Sequence, residues 1–218
     1  MSDRARFLYL HGFASSPGSR KALRFRDAFA RRDRELVIPD LNPSDFRDLT
    51  VGGMLDVAER AVRDGPDGPV GIIGSSLGGY LATLLLSRLS GAFGAVLLAP
   101  AFDLRTRWSR RLGPDALAAW QRIDTIRIFH HGLDRECSLG YRFYEESAAY
   151  PAYPDPGGVP LLMFHGRGDE VVPLEAVEEF TRRQPGARLR VVEDDHSLLD
   201  AVDGIVRESV EFFDECLG

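Results

Sequence analysis

The chain has 218 residues, 44% of them hydrophobic, with 33 acidic against 27 basic side chains and a formal net charge of −6. One domain of this length buries about 70% of its unfolded surface, so a full core is within reach. The acidic balance excludes the basic excess that attracts a nucleic-acid backbone or an anionic membrane.

Cys137 and Cys216 are far apart and lack Cys-x-x-Cys spacing, so neither a disulfide framework nor a zinc site is expected, and a reducing cytoplasm fits. Residues 1–6 carry two arginines, but the apolar run at 7–10 is too short for a signal sequence and stops at His11-Gly12. No apolar stretch approaches the roughly 20 residues of a membrane span. Lys21 is the sole lysine among the 27 basic residues, a bias we ascribe to genome composition rather than chemistry.

In chain order, residues 7–10 form a first expected strand, followed by His11-Gly12-Phe13 and a helix over 19–31. A second strand at 36–38 and a helix over 51–64 precede a third strand at 70–73. That strand runs straight into Gly74-Ser75-Ser76-Leu77-Gly78 and a helix over 77–89. A fourth strand lies at 95–99, a fifth at 161–164 and a sixth at 189–192, with helices over 174–183 and 197–217. Most of the strands are continuous Val, Ile, Leu and Phe rather than alternating, as a parallel sheet covered on both faces requires. The fold class is α/β: one domain over 1–218, with a six-stranded, mostly parallel sheet and helices on both faces.

The rhythm breaks between the fourth and fifth strands, where residues 102–158 are too many for an ordinary connection and read as a cap insertion. Within it, 112–123 and 139–150 are expected to be helical and 126–130 a short strand. Pro151, Pro154, Pro156, Gly157 and Gly158 return the chain to the sheet as a loop.

Gly-x-Ser-x-Gly arises by chance roughly 0.14 times in a chain of this composition, so the pentapeptide gains its weight from context. A strand before it, a helix after it and glycines two residues to either side make Ser76, not Ser75, the exposed serine of a nucleophile elbow. Active sites of open parallel sheets gather at the carboxyl ends of strands. There the sequence places Asp169 after the fifth strand and His196 after the sixth, so serine, acid and histidine follow in the order of the α/β-hydrolase topology. A serine hydroxyl needs a base, and a histidine of pKa about 6.5 supplies one. A carboxylate fixes the imidazole tautomer and steadies the imidazolium. The backbone N–H groups of Leu77 and Phe13 are the expected oxyanion donors.

These motifs, with Ser15-Ser16-Pro17-Gly18, Gly79-Tyr80, Glu170-Val171-Val172-Pro173 and Asp195, resemble the small bacterial α/β-hydrolase esterases of the YqiA type. The insertion, with Tyr141-Arg142-Phe143-Tyr144-Glu145-Glu146, is similar to that of compact α/β-hydrolase-domain thioesterases and acyl-glucuronide esterases. The resemblance implies a serine carboxylesterase or thioesterase whose sheet lacks the first two strands of the larger fold. No cofactor is expected, and the partner is a small acyl ester or thioester.

Asp103, Asp194 and Asp195 are alternative acids for Asp169. His11 is expected to order the oxyanion loop and His165 to be a buried strand-end residue. His11, Gly12, Phe102, Trp108 and Tyr141 are candidate substrate-binding positions, although core packing explains the aromatic ones equally well. The arginines at 105, 107, 110 and 111 read as a solvated helical face rather than an anion site. His130-His131 lacks any metal-site spacing, and the glycines of 71–79 lack the Gly-x-Gly-x-x-Gly of a dinucleotide loop. An amide or peptide hydrolase on the same three residues, and a silent binding protein of this fold, remain as alternatives.

Overall fold

The computed structural model describes residues 5–218, so Met1 to Arg4, including one of the two leading arginines, lie outside the described residues. Six strands form one parallel sheet: β1 (Arg6–Leu10), β2 (Leu36–Val37), β3 (Val70–Ser75), β4 (Ala92–Leu98), β7 (Leu161–Gly166) and β8 (Ala187–Val192). Their spatial order is β2-β1-β3-β4-β7-β8, and every pairing is parallel. A two-stranded antiparallel hairpin, β5 (Thr125–His130) with β6 (Arg135–Gly140), stands apart.

Successive side chains of each strand serve opposite faces, and on the central strands β3 and β7 both are buried, while the edge strand β8 alternates with exposed Arg188 and Arg190. On one, Leu8, Leu10, Ala95 and Leu97 pack against α2 (Val51–Arg63), α3 (Leu77–Leu86) and α6 (Leu174–Arg183). On the other, Phe7, Tyr9, Val96 and Leu98 pack against α1 (Arg20–Ala30) and α7 (Val202–Leu217). Helix α3 is buried along its whole length, which explains its lack of a polar face.

β4 and β7 are neighbours in the sheet, so the chain between them lies outside it as an insertion. It holds α4 (Leu104–Ile123), the hairpin and α5 (Arg142–Glu146). Three features differ from expectation here. The expected helix to residue 123 does start at the Gly-Pro pair, after the non-helical Gly113 (φ 74°, ψ 167°), but α4 also holds a helical stretch before that break, from Leu104, to which the sequence reading assigns no element. Residues 135–140 are a strand; their sequence, Arg-Glu-Cys-Ser-Leu-Gly, has little β signal, and pairing with the apolar β5 fixes them. The second helix consequently starts at Arg142, running to Glu146 and continuing as a 3₁₀ turn over Ser147–Ala149.

The last helix also starts later, at Val202 rather than 197. Asp194 Oδ2 accepts the N–H groups of Asp200 (3.0 Å) and Ala201 (2.9 Å), holding 194–201 as a loop that spends its backbone donors on a carboxylate. That loop carries His196.

Candidate active site

Ser76 sits between β3 and α3 at φ 54° and ψ −117°, a conformation that costs a non-glycine residue on the order of 1–3 kcal/mol. Its backbone is fixed on both sides. The N–H donates to Leu98 O (2.8 Å), and the carbonyl accepts from Gly79 (2.9 Å) and Ala101 (3.0 Å). A Cβ on Gly74 would strike the backbone of Gly78, and one on Gly78 would strike the carbonyls of Leu10 and His11. Strand, turn and helix therefore meet backbone to backbone, which leaves the Ser76 side chain projecting at the strand ends.

The Ser76 Oγ lies 3.0 Å from His196 Nε2, and His196 Nδ1 lies 2.7 Å from Asp169 Oδ2. Since the carboxylate only accepts, Nδ1 carries the proton and Nε2 is left to accept from the serine hydroxyl. The His196 side chain is 23% exposed, whereas that of Asp169 is 1% exposed. Oδ1 of Asp169 accepts the N–H groups of Val171 and Val172, each at 2.8 Å. Burial alone would push this carboxyl up, but the hydrogen bonds from His196, Val172 and Val171 together hold it below the ordinary range. The rival acids are placed elsewhere. Asp194 ties its own loop, Asp195 accepts from Ser197 N–H (2.7 Å), and Asp103 opens α4.

Gly12 lies against Ser76, where a Cβ would come within 3.3 Å of the serine Cβ. Leu77 is the first residue of α3, so its N–H is one of the helix's unpaired first-turn donors. His11 is buried, with Nδ1 donating to Gly12 O (3.0 Å) and Nε2 accepting from Leu41 N–H (3.0 Å). Burial pulls its pKa down, so the neutral ring holds the loop and both nitrogens are spent.

Of the aromatic candidates, Trp108 is brought to this loop, its ring edge-on to Phe13 with centroids 5.5 Å apart. Phe13 also meets Phe46 (5.6 Å) and Phe143 (5.4 Å). Tyr141 is further out, against Trp120 and Tyr144. Phe102 is fully buried and stacked on Phe180 at 4.1 Å, inside the core.

Several supporting residues carry no motif. Asn42 donates to Ser15 O (2.8 Å), steadying the same loop. Arg107, which the sequence suggested was solvated, donates to Val171 O (3.0 Å) beside Asp169. Lys21 lies close enough to Asp169, Asp194 and Asp195 to feel their charge, although burial dominates and pulls it down to about 8. Asp195, whose Oδ1 accepts the Ser197 N–H two residues on, carries an Asx pattern that a local reading of the sequence could have signalled. Among the described residues, no group of three or more His, Cys, Asp or Glu could hold a metal ion. A cavity of about 420 Å³ opens elsewhere, beside Arg6, Arg34, Val62 and Pro66, and its lining has no serine, cysteine or histidine. Among the described residues, no helix is long and apolar enough to cross a membrane.

A family model described as an uncharacterised protein family, UPF0227, matches residues 6–213. Among solved structures, the chain is similar to Est1E from Butyrivibrio proteoclasticus with ferulic acid bound, at 19% identity and a TM-score of 0.82, over 99% of this chain and 90% of that one. It is likewise similar to mouse alpha/beta hydrolase domain-containing protein 10, at 18% identity and a TM-score of 0.81, covering 98% and 91%. An esterase from Exiguobacterium antarcticum matches at 18% identity and a TM-score of 0.67, covering 97% and 92%. At such identities these likenesses establish the α/β-hydrolase fold.

Proposed function

Since the chain belongs to the uncharacterised protein family UPF0227 and has the α/β-hydrolase fold, we propose that it is a serine hydrolase cleaving carboxylic esters or thioesters through an acyl-enzyme. The observation that carries this is the unbroken line from Ser76 Oγ to His196 Nε2 (3.0 Å) and from His196 Nδ1 to Asp169 (2.7 Å). Ser76 attacks the acyl carbon as His196 takes its proton, and Asp169 steadies the imidazolium. The oxyanion is received by the N–H groups of Leu77 and Phe13, each worth about 3 kcal/mol at the transition state. His196 then gives its proton to the departing oxygen or sulfur, and afterwards takes one from the water that releases the acid. No step calls on a cofactor.

We take residues 102–158 as the cap of a single hydrolase domain, with Trp108 and Phe13 as the apolar wall beside the acyl group. One of the similar proteins, that of Exiguobacterium antarcticum, is named as an esterase, which favours oxygen esters as the first probes. The ordinary charge balance and cysteine content favour a cytoplasmic protein without nucleic-acid partners.

A fluorophosphonate should label Ser76, as mapped by mass spectrometry. Ser76→Ala should abolish labelling and lower short-chain p-nitrophenyl ester hydrolysis on the order of 10⁶-fold. Folded wild-type protein left unlabelled, or labelled elsewhere, would refute the assignment.

A further inference from the structure

A carboxylate as buried as Asp169 is tolerable only where donors meet its lone pairs. Val171, Val172 and His196 supply three, and a fourth group faces it. His165, near the end of β7, is fully buried, with Nε2 at 2.9 Å from Val172 O and 3.4 Å from Asp169 Oδ2. Both neighbours are acceptors, so Nε2 carries the proton. Nδ1 is then a bare lone pair, and it is buried with no hydrogen-bond partner among the described residues.

An orphaned buried nitrogen is a defect in a strand whose preceding residues are Leu161, Leu162, Met163 and Phe164. A leucine at 165 would not carry it. The compensation lies on the Nε2 side. The N–H of Val172 holds Asp169, while the carbonyl of Val172 is held by His165, so one residue of the acid loop is gripped from both ends. The neighbouring carbonyl of Val171 takes Arg107, but Val171 is exposed and water could replace that donor. Val172 is fully buried, leaving its carbonyl no such substitute.

We propose that His165 is a positioning residue: its Nε2–H ties down Val172 and lies against Asp169, keeping the carboxylate in register with His196. The kinetic consequence rests on the hydrolase assignment, whereas the hydrogen bonding does not, and the test separates the two. His165→Leu removes the donor. His165→Gln returns an N–H at similar reach, and His165→Asn offers one a methylene too short. For each full-length variant, kcat and KM are measured on a p-nitrophenyl ester, and the low-field proton line of His196 Nδ1–H is recorded, assigned by its loss in Asp169→Asn.

In the Leu variant, kcat should fall about 10- to 100-fold, the usual loss when a partner that orients a site's ligands is removed, with KM within about twofold. The His196 line should broaden or vanish. The Gln variant should recover both. A Leu variant with wild-type kcat and an intact line would show that His165 only fills space. Should it fail to fold, the Gln and Asn pair decides, and equal behaviour of those two would overturn the proposal. If the wild type hydrolyses no ester, the hydrolase assignment falls, and the proton line alone still judges His165.

Discussion

The strand-end turn around Ser76 and the insertion over residues 102–158 are held together by different physics. At the turn, backbone touches backbone, and Gly74 and Gly78 leave no room even for a methyl group. In the insertion, ring meets ring: Trp108, Trp120, Phe143, Tyr141 and Tyr144 share edge-on and tilted contacts 5.5–6.0 Å apart. A handful of polar ties then fasten it to the rest of the fold. Glu146 accepts from Gly52 N–H (2.7 Å), Tyr80 donates to Pro151 O (2.9 Å), and Gly132 N–H donates to Ala14 O (3.3 Å). The turn thus tolerates no change of backbone spacing, while the insertion, apart from close backbone approaches at Gly132 and Gly140, rests on side-chain volume.

The largest expected effect breaks the turn. In Gly78→Ala the new Cβ meets the carbonyls of Leu10 and His11, and neither can yield without parting β1 from α3. We expect a loss of more than about 4 kcal/mol, in the range reserved for a named structural violation. Urea unfolding followed by far-ultraviolet circular dichroism measures it. A loss below about 1 kcal/mol would mean that the backbone approach is slack.

The insertion should answer differently. Trp120 is fully buried and donates from Nε1 to Leu139 O (3.1 Å), joining α4 to β6. Trp120→Ala should cost about 3 kcal/mol through the cavity and the unpaired carbonyl. The contrast sharpens if hydrogen exchange accelerates over 104–150 while β3 and β4 keep their protection. Uniform acceleration would make the insertion and the sheet one cooperative unit.

The same difference decides what could be read from the chain. The central strands were legible because burial on both faces writes itself as unbroken apolar runs, such as Val70 to Ile73 and Leu161 to Phe164, whereas the edge strands β2 and β8 showed only short apolar stretches. Ser76, Asp169 and His196 were legible as strand-end residues because a parallel sheet collects its carboxyl ends on one side. Strand β6 was not, since Arg135, Glu136 and Ser138 stand on an edge where pairing, not composition, makes the strand. Nor were Asn42 and Arg107, whose partners are backbone carbonyls 27 and 64 residues away in sequence, contacts that no local pattern records.

The smallest effect tests whether the two regions are truly separable, because one histidine of the hairpin joins them. His130 is buried, and its Nδ1 accepts the Leu133 N–H (3.1 Å), so that nitrogen must stay unprotonated. Its Nε2 faces Asn42 Oδ1 (3.3 Å), and Asn42 in turn holds Ser15 O in the loop before α1. Burial pulls the pKa of His130 below the ordinary histidine value. A proton is therefore bound more readily by the unfolded chain than by the folded one. This contribution is constant above about pH 6.5 and erodes stability as pH falls below it, by up to about 1.4 kcal/mol per pH unit. His11 and His165 carry the same sign, so the wild type alone cannot isolate the term. His130→Asn can, because its Oδ1 takes over the Leu133 N–H without titrating. Its unfolding free energy should fall less steeply than that of the wild type between pH 6.5 and 5.5. Parallel slopes would mean that the hairpin accommodates a charged ring without loosening its contact to Asn42.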